Sequence, residues 1–538
     1  MKNIIINNKK KIISIGLIVI FIINFFSHKL IYSWDSSVYL GMSLILGTSS
    51  FKSVWLPVRG ISFPFLLRLF EPFGYQNKYL LLLLTFIFYI GMLYVIYLIG
   101  KKLNMYKSDK DKIVYVMFMV FFIILNPIIF VYYHLILTEF VAMTLNMLFV
   151  YLMYNYIRID IKKDKKVSIL YVIYISFIIV FLYHTKQSFV GMMLIELILG
   201  IFLSLLRCFD IKNIIYRFCT CIICALLLVG SIKVWNSYTS TKGLENLGDK
   251  AVESYTAKHI ISGITKMREI GNSKNIVYTN GKFNRTVKVL VDGWVSPDSI
   301  EILNEKNKDE IIKVLNNESK YKAFTIYESK SNSNVQYVLF TKGNYSLKEQ
   351  LPLYFKIFYT KPSLIINSYY DGMYKTIWIP GYWSFENRAF AIQYFYRDGE
   401  NVSDISPGYE FAVEDLKEYN TTNYLDHMSF GYSEIISFIY RVNQMIMPIL
   451  FIIVFILTIY VVIKDKKYKG YSNLRNGFEM TLLLYGMAFG CIISYIMFCG
   501  YVDRYLIPSH IPMFVGDIIF IMYLIKLIEM KKIKISDN

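Results

Sequence analysis

The chain is short of charge. Only 18% of its 538 residues are Asp, Glu, Lys or Arg, against about 25% in soluble domains, which excludes an ordinary water-soluble fold of this size. The deficit is concentrated in long apolar runs that a hydrated surface does not carry, and mean hydropathy is +0.42. Cysteine is scarce too. Cys208, Cys219, Cys221, Cys224, Cys491 and Cys499 all lie in or beside apolar runs, and the polar stretch 235–441 has none. No disulfide framework is implied there. Cys219, Cys221 and Cys224 have the spacing of a thiolate metal cluster, but they fall inside one apolar run and read as buried small hydrophobes. No internal repeat occurs, nor the hydropathy symmetry that inverted-repeat transporters carry.

What is present is a regular alternation of apolar runs and lysine clusters. The net charge of +19 does not point to nucleic acid, because the clusters sit between apolar runs, as in cytoplasmic loops facing anionic lipid. Met1 to Lys11 is basic and leads into an apolar run with no small-residue cleavage site. The chain continues through Phe25, Phe26, Ser27 and His28 into Trp34, the pattern of an uncleaved signal anchor.

A span needs about twenty mainly apolar residues. The runs at 11–32, 79–100, 113–133, 136–157, 168–184, 187–206, 213–234, 442–463, 478–499 and 505–528 predict about ten transmembrane helices. With a cytoplasmic N-terminus, the inner loops are Lys101–Lys112, Arg158–Lys166, Arg207–Lys212, Lys464–Arg475 and the tail from Lys531, all rich in Lys or Arg. The positive-inside rule is obeyed at each turn, with both termini cytoplasmic. The predicted organisation is an N-terminal membrane module at 1–234, an extracytoplasmic mixed α/β domain at 235–441, and a C-terminal membrane module at 442–538.

Two outward segments follow. The loop at 33–78 holds amphipathic stretches, Tyr39 to Leu46 and Ile61 to Phe70, separated by a turn from Pro57 to Gly60; such helices suit the membrane interface. The region 235–441 has short alternating strands at Asn275–Thr279, Arg285–Val291 and Gln336–Thr341, with a helical run at Lys308–Asn316. The aromatic stretch Tyr354–Trp378 returns the chain to the bilayer surface.

Ionisable groups in or beside spans cost free energy and mark candidate function. Here they share one depth. Asp35 follows the first span and Arg59 lies in the first outer loop. His134 and Glu139 flank the third turn, His184 and Lys186 form the next outer turn, and Asp503 and Arg504 open the last span. A carboxylate among cations suits sugar transfer from a lipid phosphate. The carboxylate serves as the base that takes the acceptor's proton, cations hold the departing phosphate, and the isoprenoid tail occupies the bilayer.

Four short segments carry a family likeness: Trp34-Asp35-Ser36-Ser37-Val38-Tyr39, Arg59-Gly60-Ile61-Ser62-Phe63-Pro64, Leu137-Thr138-Glu139, and Asp503-Arg504-Tyr505-Leu506-Ile507-Pro508. In order and predicted side they resemble motifs of the GT-C glycosyltransferases, polytopic enzymes of the protein O-mannosyltransferase and aminoarabinose-transferase type that use polyprenyl-phosphate sugars. The likeness covers the membrane part of the chain. It implies that Asp35 is the catalytic base, that Arg504 and Lys186 hold the donor phosphate, and that Arg59 and Glu139 shape the pocket, with Tyr39, His184 and Tyr505 completing the substrate-binding set. Two departures stand out. Ser36 replaces the second acid many relatives carry, and the large domain lies between the seventh and eighth spans. Asp503 is placed to serve a metal, but no ligand set stands out, so the expected cofactor is none. The implied partners are a lipid-linked sugar donor, membrane lipids and an envelope glycan, lipid or protein acceptor. Two other classes stay open. One is a transporter or lipid flippase, for which Asn126-Pro127 offers a helix break. The other is a non-catalytic envelope polysaccharide-assembly scaffold, for which the Tyr369–Tyr396 stretch with Trp378 and Trp383 reads either as sugar-stacking or as interfacial anchoring.

Overall fold

In hydrocarbon a backbone must satisfy its own N–H and C=O groups, so apolar runs of this length resolve into helices. The computed structural model describes residues 2–28, 30, 34–46, 60–70, 78–159, 163–186, 189–207, 211–240, 366, 370, 430–468, 470–499 and 503–536, together with short strands between 276 and 338. Its helices are α1 (Lys2–Ser27), α2 (Trp34–Ile45), α3 (Ser62–Arg68), α4 (Lys78–Lys102), α5 (Asp109–Met119), α6 (Pro127–Tyr132), α7 (Thr138–Tyr156), α8 (Lys165–Thr185), α9 (Val190–Arg207), α10 (Ile211–Ser240), α11 (Phe430–Lys467), α12 (Ser472–Cys499) and α13 (Asp503–Ser536).

Among the described residues, six stretches are long and apolar enough to cross a bilayer: Tyr79–Lys102, Lys165–Thr185, Ile215–Trp235, Ile435–Lys467, Ser472–Ser494 and Tyr505–Met530. They coincide with six of the ten expected runs. The chain is therefore a mainly helical, multi-pass membrane protein.

The expected run 113–133 is not one helix. After α5 the backbone widens into a π turn, Val120–Ile124, and leaves helical geometry at Leu125. Pro127 then opens α6, and Asn126 caps it by accepting from Ile128 N (3.0 Å) and Ile129 N (3.3 Å). Proline has no N–H to continue the earlier helix but suits the first turn of a new one.

Burial sorts the helices. In α7, Glu139, Asn146 and Asn155 are all buried, and the helix packs against α4, α8, α12 and α13. The apolar window of α12 is 83% buried and that of α10 only 11%, so α12 is a core helix and α10 runs along the outside. This corrects the reading of its cysteines. Cys219 is exposed, Cys221 half-buried, and only Cys224 buried, with its Sγ 3.2 Å from Ser176 Oγ.

Six strands form one sheet in the order β4-β1-β2-β5-β6, with β3 on β2. They are β1 (Ile276–Asn280), β2 (Phe283–Val291), β3 (Trp294–Val295), β4 (Leu303–Asn304), β5 (Ala323–Ser329) and β6 (Val335–Val338). β1 and β4 are parallel; the other pairs are antiparallel. β1, β2 and β6 fall on the expected strands, and β3, β4 and β5 are additions. The expected helix at Lys308–Asn316 lies outside the described residues. So does the aromatic region from 354 to 396, Trp378 and Trp383 included, apart from Ile366 and Tyr370.

The charged connections gather at one end of the bundle. Glu479 receives Arg207 on Oε2 and Arg475 Nε on Oε1 (2.9 Å). Arg475 Nη1 also reaches Asp465 Oδ2 at 3.0 Å. Lys526 Nζ meets Asp111 Oδ2 at 2.7 Å, and the Tyr523 hydroxyl donates to Leu103 O at 2.9 Å. Arg217 donates to the carbonyls of Tyr156 (2.6 Å) and Ile159 (3.0 Å). Glu139, Lys186 and Tyr505 lie at the other end.

Candidate functional site

The site is built where helices end. Leu137 is extended and α7 starts behind it, which puts Glu139 in the first helical turn, where a carboxylate is favoured by the helix dipole. The turn before it is fixed from two sides. Ser36 Oγ donates to Ile136 O at 2.8 Å, which ties the first turn of α2 to this turn. The buried His134 ring reaches two backbone carbonyls, Phe130 O at 2.8 Å from Nδ1 and Phe25 O at 3.0 Å from Nε2, which holds the end of α1 there as well.

Lys186 arrives from a second turn. α8 stops at Thr185, and Lys186 is extended while its N–H still donates to Leu182 O (2.9 Å). Its carbonyl accepts from Phe189 N at 3.0 Å. The side chain then bridges two other elements. Nζ lies 3.5 Å from Glu139 Oε1 and 3.8 Å from the centroid of the Tyr505 ring, with Phe189 at 5.8 Å. Glu139 is fully buried and Lys186 is 17% exposed. A buried carboxylate needs a countercharge, and the aromatic face adds a cation–π contact. Thr138 Oγ1 donates to the other carboxylate oxygen at 3.1 Å.

Three of the expected residues, Glu139, Lys186 and Tyr505, therefore meet directly. Asp35 is the second residue of α2, beside the anchored Ser36, and Arg504 precedes Tyr505 at the start of α13; the side chains of Asp35, Asp503 and Arg504 lie outside the described residues. Arg59 lies outside them entirely. Its neighbour Gly60 is buried so closely on α8 that a Cβ there would stand 1.8 Å from the His184 carbonyl oxygen. Only glycine permits that approach. Tyr39 is buried with its ring edge-on to Phe63 (4.9 Å), and Phe63 packs on Phe140 at 5.8 Å. His184 turns away from the Lys186 group. Its Nε2 is 3.1 Å from Ser231 Oγ on α10, and Trp235 lies at 6.3 Å.

Charges at span ends draw attention in the sequence, while a lone acid inside an apolar run is as strong a signal. Asp517 is one. The Tyr485 hydroxyl donates to its Oδ1 at 2.6 Å, and Asn443 Nδ2 donates to its Oδ2. Gly516 makes this possible, since a Cβ there would be 2.7 Å from the Tyr485 ring. Asp517 and Asn443 form the polar wall of a cavity of about 420 Å³ lined mainly by Phe118, Phe122, Ile446 and Phe514. Among the described residues, no group of three His, Cys, Asp or Glu side chains is arranged to hold a metal ion.

No family model, curated protein or solved structure matches the chain.

Proposed function

We propose that the chain is an inverting membrane glycosyltransferase that moves a sugar from a polyprenyl-phosphate donor to a cell-envelope acceptor on the outer face. In this reading α1, α5 with α6, α7 and α9 also cross, giving ten spans, and the sheet belongs to an extracytoplasmic α/β domain. The supporting observation is the convergence of Lys186, Glu139 and Tyr505, next to Arg504, with the Asp35-bearing turn of α2 tied to the same turn through Ser36. Asp35 takes the acceptor's hydroxyl proton. The acceptor oxygen attacks the anomeric carbon from the face opposite the donor oxygen. The carbon–oxygen bond to phosphate breaks, and its electron pair leaves with the polyprenyl phosphate. Lys186 and Arg504 receive the charge that develops, in most enzymes the largest catalytic contribution. Glu139 holds the ammonium in place, and Arg59 shapes the pocket.

The test is Asp35→Asn. Membranes carrying the chain are supplied with polyprenyl-phosphate donors labelled in the sugar, and label entering the envelope fraction is followed. The variant inserts normally and transfers nothing. Full transfer by it removes Asp35 as the base.

A second reading, a lipid flippase, is favoured by a specific pair of observations: the helix break at Asn126–Pro127 and the polar groups His510, buried, and Asp517, half-buried, spaced along α13 beneath Tyr505. It requires reconstituted protein to move a fluorescent polyprenyl phosphate across vesicles with no sugar transfer, and Asp517→Asn to stop that movement.

A further inference from the structure

The basic end of the bundle has more positive charge than its carboxylates engage. Arg158 lies within electrostatic reach of Lys102, Arg207, Arg475 and Glu479, and Arg475 also pairs with Asp465. Four cations against two carboxylates leave an excess of two among the described residues. Both oxygens of Glu479 are taken by Arg207 and Arg475, and Asp465 is taken by Arg475. Among the described residues, Arg158 has only a neutral acceptor. Its Nη1 donates to the Tyr154 hydroxyl and its guanidinium lies 4.2 Å from that ring's centroid. The phenol's own proton is directed to Asn476 O at 3.3 Å, so its lone pair is what Arg158 meets. Arg207 Nε is buried with no acceptor. Buried guanidinium nitrogens ordinarily find one.

The level of this cluster selects the anion. Lys102 closes the apolar stretch of α4 and Arg207 is the last residue of α9. Tyr94 and Tyr97, exposed and 6.3 Å apart on α4, sit within about two turns of Lys102, where an aromatic belt meets headgroups. Basic pockets between helices at that level take lipid phosphates, and arginine matches the geometry of phosphate oxygens.

We propose that Arg158 and Lys102, backed by the charge of Arg207, form a binding site for a phosphate group, supplied by the headgroup of an anionic phospholipid from the adjoining leaflet. Arg158 carries the specificity, because Arg207 and Arg475 are already engaged by Glu479.

The test uses the purified full-length chain in detergent, scored by native mass spectrometry for retained lipid. Phosphatidylglycerol, phosphatidylcholine and inorganic phosphate are offered separately and in competition. Phosphatidylglycerol is retained about tenfold better than phosphatidylcholine, the scale of one charged hydrogen bond. Arg158→Gln removes that preference, and Lys102→Gln, a change at an exposed side chain, weakens it. Lys112→Gln, exposed on α5 at the same end, leaves it intact. Equal losses for Arg158→Gln and Lys112→Gln would show general attraction to a basic surface and overturn the site. Equal retention of the two lipids also overturns it. Displacement of phosphatidylglycerol by millimolar inorganic phosphate overturns the lipid as the source.

Discussion

The two ends of the helical bundle use the same ions differently. At the basic end a buried carboxylate, Glu479, is gripped by two arginines, one of them at 2.9 Å, and a second carboxylate completes the chain. At the other end Glu139, equally buried, meets a single flexible ammonium at 3.5 Å that also leans on an aromatic ring. The first arrangement joins α9, α11 and α12 through rigid, forked guanidinium groups. The second joins α7, α8 and α13 through a point charge on a four-carbon stem, which adapts more easily to an arriving anion. Tight closure goes with structure and loose closure with a site.

Five substitutions probe that contrast. Glu479→Ala leaves two arginines facing each other inside the protein and is expected to cost about 3–5 kcal/mol, read as a lowered unfolding midpoint in detergent. Glu139→Ala is expected to cost clearly less, because Lys186 reaches solvent; equal losses would erase the distinction between the ends. Lys186→Met is expected to lower sugar transfer by about 10²–10³-fold, as when one charge-stabilising donor is removed, while the unfolding midpoint hardly moves. A stability loss matching the activity loss would make Lys186 a structural residue. Gly60→Ala forces a Cβ onto the His184 carbonyl and is expected to cost about 1–3 kcal/mol, seen as a lower midpoint and weaker transfer together. Ser36→Ala removes one hydrogen bond between α2 and the turn before Glu139, for about 1 kcal/mol. Its expected signature is a lower kcat at nearly unchanged KM, because the turn bearing Asp35 is then held less firmly.

Much of this arrangement was legible in the residues. The apolar runs gave the six candidate crossing stretches, four of them to within three residues at each end, because helix formation in hydrocarbon leaves the backbone no alternative. Of the basic connections, Arg158, Arg207 and Arg475 do meet at one end of the bundle. The meeting of Glu139, Lys186 and Tyr505 followed from their shared position at helix ends. What stayed hidden depends on direction around a helix axis, which spacing in an apolar run does not reveal. His184 is two residues from Lys186 yet faces α10, and Cys219 points outward while Cys224 points in. Asn126-Pro127 was visible as a break, but the π turn ahead of it reflects packing against other helices. The Asp517 group needed Tyr485 and Asn443 from distant parts of the chain, brought together only by tertiary contact.

The length of α10 has a mechanical consequence. It runs nine residues past Ser231, the partner of His184, about 13 Å at 1.5 Å per residue. α11 begins ten residues before Tyr440, whose hydroxyl accepts from Asn126. A force applied at the C-terminal end of α10 is thus delivered to the bundle beside His184, and one applied at the N-terminal end of α11 beside Tyr440 and His510.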